Sequence, residues 1–230
     1  MCNLKETYRP KRLADIIGQP CIRPLRMFVA EPYPCCILLE GATGTGKSAT
    51  AEVLAEALGC VNDGPWDSVY PEPAAKFDTE TVNYYFEPAT SPFRFVVPRG
   101  KFHVLLLEEL EYMVPQVQRL CKVHFETAPD RWKLIIVATS NDTSKLPAAV
   151  RHRFANAHYH FSSGPGFADA INAWLPSVWA AEVGPGVDMP YNWRLFGWDG
   201  AAFSARLALD TLQKFVTLER QRAGELEAVA

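Results

Sequence analysis

Short runs of consecutive apolar residues are the clearest pattern along this chain. They occupy residues 35–40 (CCILLE), 102–107 (FHVLLL) and 133–139 (KLIIVAT). Each run predicts a buried strand, since a strand covered on both faces has no polar alternation. We therefore expect a parallel sheet with helices on both sides.

Apolar residues at helical spacing fill other parts of the chain. Residues 48–58, 115–127 and 202–222 each carry an apolar stripe, and Gly59 provides a stop signal after the first of them. Strands that alternate with helices are typical of an α/β fold. The sequence thus predicts an α/β core with a parallel sheet flanked by helices.

Residues 61–100 give no clear period, because prolines and aromatic residues interrupt every window. We expect short strands near 82–86 and 93–97 there. The segment 162–166 (SSGPG) is the best candidate linker, and the pattern after it is mainly helical. The predicted domains are a nucleotide-binding core over 1–161 and a small helical lid over 162–230.

The composition narrows the class of protein. The net charge of −3 over 230 residues leaves no global basic field, so a DNA contact would need a local patch or several subunits. No apolar stretch approaches the about 20 residues of a membrane span, and the N-terminus carries no signal sequence. The six cysteines form no CxxC pair, which disfavours a zinc module and favours buried thiols in a reducing cytoplasm. We expect a cytoplasmic protein without a membrane contact.

The segment Gly41–Ser48 (GATGTGKS) has the Gly-x4-Gly-Lys-Ser spacing of a phosphate-binding loop. It follows a predicted strand and precedes a predicted helix, so backbone N–H groups and the helix N-terminus would face an anion. Lys47 would reach the β- and γ-phosphates, and the Ser48 hydroxyl would coordinate Mg²⁺. The sequence predicts ATP and Mg²⁺ as cofactors; the alternative is an ordinary glycine-rich turn.

Two carboxylates follow the second apolar strand. Glu108 and Glu109 lie where P-loop ATPases place one acid near Mg²⁺ and another that polarises the attacking water. We assign Glu108 to the metal and Glu109 to the general base. The alternative is a solvated acidic strand end, and Glu111 is expected on the surface.

With these motifs, the chain resembles the AAA+ ATPases, and among them the clamp-loader group typified by replication factor C small subunits. The similar segments are Tyr8–Gln19 (YRPKRLADIIGQ), the loop Gly41–Ser48 as Walker A, Leu105–Glu109 as Walker B, Gln118 and Glu126 in the helix that follows, Asn141 as sensor 1, Lys145–Pro147, Arg151–Phe154 in place of the "SRC" box, and Ser204–Gln213 as the lid helix with sensor 2. They extend over residues 7–60, 102–161 and about 200–216.

The resemblance implies a set of site residues. The implied catalytic residues are Lys47, Glu109, Asn141, Arg153 as an arginine finger, and Arg206. The implied nucleotide-binding residues are Tyr8, Arg9, Pro10, Ile17, Gly18, Gly41, Thr43, Gly44, Thr45, Gly46, Lys47, Ser48, Ala49 and Arg206. Ser48 and Glu108 are the implied metal ligands.

The chain also departs from the family pattern. Glu108 replaces the usual aspartate, and His152 and Phe154 replace the serine and cysteine of the "SRC" box. Residues 61–100 do not match the family's second strand and following helix. Among these 230 residues we expect no counterpart of the helical collar domain of clamp-loader subunits, and none of the winged helix of the branch-migration motors.

The resemblance implies an AAA+ ATPase that binds ATP and Mg²⁺ at the subunit interfaces of a ring or spiral oligomer. Hydrolysis would remodel DNA or a DNA-associated protein. Two alternatives stay open: a remodeller of a protein partner on the same core, and a nucleotide-dependent assembly scaffold with weak hydrolysis, which the Glu108 replacement motivates.

Overall fold

The computed structural model describes residues 3–60, 69–98 and 100–229. Its centre is a five-stranded sheet in the order β2-β3-β4-β1-β5, and every neighbouring pair is parallel. The strands are β1 Cys35–Gly41, β2 Val69–Pro73, β3 His103–Glu108, β4 Leu134–Ser140 and β5 His158–Phe161. The three predicted apolar strands are therefore confirmed, and they form the middle of the sheet as β3, β4 and β1.

Helices surround this sheet. They are α1 Leu4–Thr7, α2 Ile22–Ala30, α3 Lys47–Ala57, α4 Thr79–Phe86, α5 Pro92–Phe95, α6 Pro115–Trp132, α7 Ala148–Arg151, α8 Pro165–Glu182 and α9 Ala205–Val229. Proline at the first position begins α5, α6 and α8, where its missing N–H would have no helical acceptor. The α/β prediction with a parallel sheet flanked by helices is confirmed.

Both faces of the sheet are covered by apolar side chains. Along β1, Ile37 and Leu39 face one core, which includes residues of α2 and α3. Cys36 and Leu38 face a second core, to which α4 and α6 contribute. Because successive strand residues point to opposite faces, a strand buried on both sides is apolar throughout. This explains why the sequence shows apolar runs rather than alternation.

The structure corrects the interpretation of residues 61–100. The predicted strands near 82–86 and 93–97 are wrong, because α4 and α5 occupy these positions. The Asp78 side chain accepts a hydrogen bond from the Thr81 backbone N–H at 2.8 Å and caps α4. Together with β2 before it, the segment thus contains a strand followed by a helix. Residues 61–68 lie outside the described residues.

The last part of the chain builds a third core. Helices α8 and α9 enclose Phe167, Leu175 and Leu212, and Leu4 of α1 packs into the same cluster. The Leu4 backbone N–H also donates to Gln213 Oε1 of α9 at 2.8 Å. The N-terminal segment thus packs on the helical part, and the division into domains 1–161 and 162–230 stays a prediction.

Two further observations apply to the described residues. None of the helices there is long and apolar enough to cross a bilayer. The described cysteines, Cys21, Cys35, Cys36, Cys60 and Cys121, are free thiols. Burial raises the pKa of the Cys35 thiol to about 12, so it stays protonated at neutral pH.

Candidate functional site

A cleft opens between the Gly41–Ser48 loop and the two long C-terminal helices. Polar side chains of the loop and of the strand ends line one part of it, including Lys47, Glu109 and Asn141. Apolar side chains of α8 and α9 line the rest: Phe167, Ile171, Trp174 and Leu209. A cleft with a cationic part and an apolar part suits a ligand that has a polyanionic end and a flat organic end.

The loop adopts backbone conformations that need glycine. Gly44 has φ of 78° and Gly46 has φ of 100°, in the left-handed region. A Cβ on Gly44 would collide with the Ser204 hydroxyl, because the start of α9 rests directly on the loop. There the Ala205 backbone N–H donates to the Gly44 carbonyl at 3.0 Å. The loop and α9 are therefore in direct contact.

Lys47 lies at the base of this loop and is only 7% exposed. Its Nζ donates to the carbonyls of Gly41 at 2.7 Å and Ala42 at 2.8 Å, and to Asn141 Oδ1 at 2.9 Å. Burial lowers the pKa of Lys47 to about 8, an effect that the charge of Glu111 partly offsets. Lys47 is thus a buried cation held among neutral acceptors, which suits it to pair with an anion.

Asn141 is held from its other side by Glu111. Glu111 Oε1 accepts from the Asn141 backbone N–H and from its amide Nδ2, both at 2.9 Å. The expectation that Glu111 lies on the surface is wrong, because this side chain is buried in the 3₁₀ turn Leu110–Tyr112. No local pattern indicated this contact, because it depends on β3 and β4 being neighbours.

The two carboxylates after β3 differ in their surroundings. Glu109 has a left-handed φ of 55°, lines the cleft, and donates its backbone N–H to Thr139 Oγ1 at 3.1 Å. Glu108 is the exposed last residue of β3 and is not among the residues that line the cleft. Glu109, the predicted general base, therefore lies near the loop, whereas Glu108, the predicted metal residue, lies outside the cleft lining.

The N-terminal segment forms one wall of the cleft through Tyr8, Arg9, Pro10 and Ile17. The Arg9 guanidinium donates to both carboxylate oxygens of Glu52 on α3, at 3.0 and 2.6 Å. This fork attaches the segment to the helix that begins at Lys47.

Tyr8 connects the same segment to α8. Its hydroxyl donates to Glu182 at 2.8 Å, and its ring meets Trp174 edge-on with centroids 5.8 Å apart. Glu182 also accepts from Arg220 of α9 at 2.6 Å. Trp174 was not predicted from the sequence, because nothing in a helical apolar pattern distinguishes a cleft residue from a core residue.

Gln19 is a further residue whose role the sequence did not reveal. Its amide Nε2 donates to the carbonyls of Thr45 at 3.1 Å and Ser162 at 3.0 Å, and its Oε1 accepts from the Ser162 N–H at 2.8 Å. These bonds attach the phosphate loop to the chain just after β5.

Most of the predicted nucleotide-binding residues line the cleft. They are Tyr8, Arg9, Pro10, Ile17, Thr43, Gly44, Thr45, Gly46, Lys47, Ser48, Ala49 and Arg206. Two do not: Gly18 packs close to Ala170 of α8, and Gly41 takes part through its carbonyl, which accepts from Lys47. Their assignment as ligand contacts stays a prediction.

The two predicted arginines occupy different places. Arg206, in the first turn of α9, lines the cleft. Arg153 lies outside the cleft, where it donates to Glu126 of α6 at 2.6 Å and to the Lys122 carbonyl at 3.2 Å. The structure therefore brings Lys47, Glu109, Asn141 and Arg206 together, but not Arg153.

The donor set fits a nucleotide polyphosphate with Mg²⁺. The loop offers Lys47 and the left-handed glycines, and the Ser48 hydroxyl offers an oxygen ligand beside them. Mg²⁺ is normally held by one or two protein oxygens together with phosphate oxygens. Consistently, no cluster of three His, Cys, Asp or Glu residues in the described parts is arranged to hold a metal by itself.

Comparisons with known proteins place these features in a family. Residues 37–160, more than half of the chain, match the family model described as "ATPase family associated with various cellular activities (AAA)". The DNA polymerase III subunit gamma/tau of Mycoplasma pneumoniae is 25% identical over an alignment of 170 residues, which covers 65% of this chain and 24% of that protein. The chain therefore spans about a quarter of this curated relative.

Solved structures share the fold at lower identity. RuvB of Thermotoga maritima, a Holliday junction branch migration motor, gives a TM-score of 0.65 at 15% identity over 93% of this chain and 67% of that chain. The Orc1 protein of Aeropyrum pernix, solved in complex with DNA, gives 0.61 at 20% identity over 94% of this chain and 63% of that chain.

Proposed function

Because the chain belongs to the AAA family of ATPases, we propose that it binds ATP with Mg²⁺ in the cleft beside Lys47 and hydrolyses it. The observation that carries this proposal is the constellation around the loop, where Lys47, Asn141, Glu109 and Arg206 converge. Lys47 and Arg206 would stabilise phosphate charge, and the apolar wall with Tyr8 would receive the base. Glu109 would take a proton from the attacking water.

We further infer that the active form is a ring or spiral oligomer. The observation in favour is that Arg153, which the resemblance implies to be an arginine finger, lies outside the cleft of its own chain. A finger in that position can act only on the nucleotide of a neighbouring subunit. Hydrolysis would then alter the contact between the loop and α9, which begins at Ala205 on Gly44.

DNA, or a protein bound to it, is the proposed substrate of remodelling. The support is the likeness to the DNA polymerase III subunit and, in fold, to the branch migration motor and to the protein solved with DNA. With a net charge of −3, one subunit has little attraction for a phosphate backbone. Several subunits could align local basic patches and gain by multivalency.

The first test replaces the loop lysine. Lys47→Ala should weaken ATP binding about 10- to 100-fold at pH 7, which is the loss of a charge-assisted contact worth about 1.5–3 kcal/mol. Titration of a fluorescent ATP analogue measures the affinity. Equal affinity in parent and variant would remove Lys47 from the site.

The pH dependence of the same titration is the internal control. With the pKa of Lys47 at about 8, the ammonium is present below pH 8 and lost above it. A bound polyanion favours the charged form, so the affinity of the parent should fall about tenfold towards pH 9. Lys47→Ala, which has no ammonium to lose, should show no such fall.

A second prediction concerns DNA. Binding of primed DNA should require ATP and assembly, and it should weaken steeply with salt because phosphate contacts release counterions. Sedimentation and fluorescence anisotropy with a slowly hydrolysed ATP analogue measure assembly and binding together. Equally strong binding by nucleotide-free monomers would contradict the proposal, and assembly without DNA binding would favour a protein partner instead.

A nucleotide-dependent assembly scaffold is the second candidate function. Glu108 favours it, because this residue is longer than the family's aspartate and is set outside the cleft lining. The rate of ATP turnover distinguishes the two functions. If the parent protein assembles in the presence of ATP but hydrolyses it no faster than the Glu109→Gln variant does, the protein is a scaffold.

A further inference from the structure

Glu111 is a buried carboxylate for which the proposed mechanism has no use. It lies three residues beyond the end of β3, is 9% exposed, and does not line the cleft. Its Oε1 accepts both N–H groups of Asn141. Its Oε2 is buried without a hydrogen-bond partner among the described residues. Burying a carboxylate oxygen without a partner costs free energy of folding, and the hydrogen bonds that Oε1 accepts from Asn141 offset this cost.

The contacts of Asn141 determine which way its amide faces. A carboxylate can only accept hydrogen bonds and an ammonium can only donate them. Nδ2 must therefore face Glu111, and Oδ1 must face Lys47, whose Nζ is 2.9 Å away. An asparagine between a pure acceptor and a pure donor has one orientation, whereas an asparagine without them can rotate by 180°.

Removal of Glu111 would release this constraint. The flipped amide would place its NH₂ group against the Lys47 ammonium, two donors face to face. The Asn141 backbone N–H would also lose its acceptor, and the turn after β4 would no longer be tied to the turn after β3. Both effects would disturb the side chain that the proposed mechanism places beside the phosphates.

We propose that Glu111 is the positioning residue of the site: it orients Asn141 so that Oδ1 meets Lys47 and the second amide hydrogen is left for another acceptor in the cleft. This inference rests on the proposed roles of Lys47 and Asn141. Glu111 acts through Asn141 and touches no reacting atom. Its charge also partly compensates for the burial of the ammonium, since it is the first of the charges that raise the pKa of Lys47 against the effect of burial.

The test separates the contact from the charge. Glu111→Ala removes both and should lower kcat about 10- to 100-fold, the scale found for residues that orient a functional side chain from behind. The ATP dissociation constant at pH 7 should change less than kcat does. Glu111→Gln keeps an oxygen that accepts the two N–H bonds, so its kcat should stay within about threefold of the parent, although its buried NH₂ group lowers the denaturation temperature. Glu56→Ala, at an exposed glutamate of α3, is the control for assay variation.

A double-mutant cycle shows whether Glu111 acts through Asn141. In an Asn141→Ala background, adding Glu111→Ala should reduce kcat by no more than about threefold, because the side chain to be positioned is gone. Losses that multiply, or an unchanged kcat in Glu111→Ala, would overturn the proposal.

An exchanged pair covers the case in which Glu111→Ala does not fold. Asn141→Asp places two acceptors face to face and should collapse kcat, and adding Glu111→Gln should restore at least about tenfold by recreating a donor and an acceptor. If the added Glu111→Gln does not restore kcat, the positioning role is overturned. If the parent hydrolyses no ATP, the proposed function fails, and the contact between Glu111 and Asn141 is then tested by hydrogen exchange of the Asn141 backbone amide in Glu111→Ala. Exchange faster than in the parent supports the contact, and an unchanged exchange rate overturns it.

Discussion

Arg153→Ala should lower the rate of ATP turnover in the assembled protein by about 10³- to 10⁵-fold and leave the ATP affinity of a monomer nearly unchanged. The magnitude is that of an arginine that neutralises charge on the transferred phosphoryl group in other P-loop enzymes. The unchanged affinity follows from the structure, since Arg153 does not line its own cleft. Steady-state turnover and ATP titration, each measured above and below the concentration of assembly, check both parts.

Arg153 can leave its present partner easily. Its side chain is 24% exposed, and that of its partner Glu126 is 58% exposed. An ion pair this exposed contributes only about 0–1 kcal/mol, so a γ-phosphate of a neighbouring subunit could replace it. Arg151→Ala is the matched control, because Arg151 is an exposed arginine two residues away. This variant should keep the ATP turnover of the parent protein.

A mixing experiment distinguishes action on a neighbour from a structural role. Lys47→Ala subunits bind ATP poorly but carry Arg153, and Arg153→Ala subunits bind ATP but lack the finger. Mixed, they should recover part of the turnover, because one subunit completes the site of the other. If a mixture shown to co-assemble recovers nothing, Arg153 acts within its own subunit or only stabilises the fold.

Glu109→Gln should leave ATP binding intact and lower kcat by about 10²- to 10⁴-fold. The amide has nearly the shape of the carboxylate but cannot take a proton from water, and this range is typical of a lost general base. The substitution leaves the hydrogen bond from the Glu109 backbone N–H to Thr139 in place, so the left-handed turn should persist. Single-turnover hydrolysis measures the chemical step separately from binding.

Glu108→Gln is the companion that tests the metal assignment. A lost metal ligand should raise the Mg²⁺ concentration required for half-maximal turnover, and Glu109→Gln should leave that concentration unchanged. If Glu108→Gln abolishes single-turnover hydrolysis at saturating Mg²⁺ while Glu109→Gln does not, the two roles are exchanged.

The parts of the fold that could be predicted are those that local sequence encodes. The strand β1, the loop and α3 follow one another without interruption, so periodicity and the Gly-x4-Gly-Lys-Ser spacing were sufficient. Helix α4 was missed although Val82, Tyr85 and Phe86 have helical spacing and Asp78 caps the helix. A helix of eight residues is too short for its period to outweigh an aromatic content that is typical of strands.

The site was predictable in its motifs and not in its tertiary contacts. The motif assigned different roles to Glu108 and Glu109, but it did not indicate that Glu109 lines the cleft and Glu108 does not. Glu111 could not be connected with Asn141, because 30 positions separate them and only the pairing of β3 with β4 brings their turns together. Long-range contacts of this kind depend on the order of strands in the sheet, which periodicity does not contain.

The contact between α9 and the phosphate loop has a mechanical consequence. Helix α9 has 25 residues, so at 1.5 Å per residue it is a rod about 37 Å long. Its first residue rests on Gly44, and Arg220 attaches it to α8 through Glu182. A tilt of about 10° at the loop would displace the far end by roughly 6 Å. A tilt of this size would therefore move the far end of the helix far enough to break or form contacts at a distant surface.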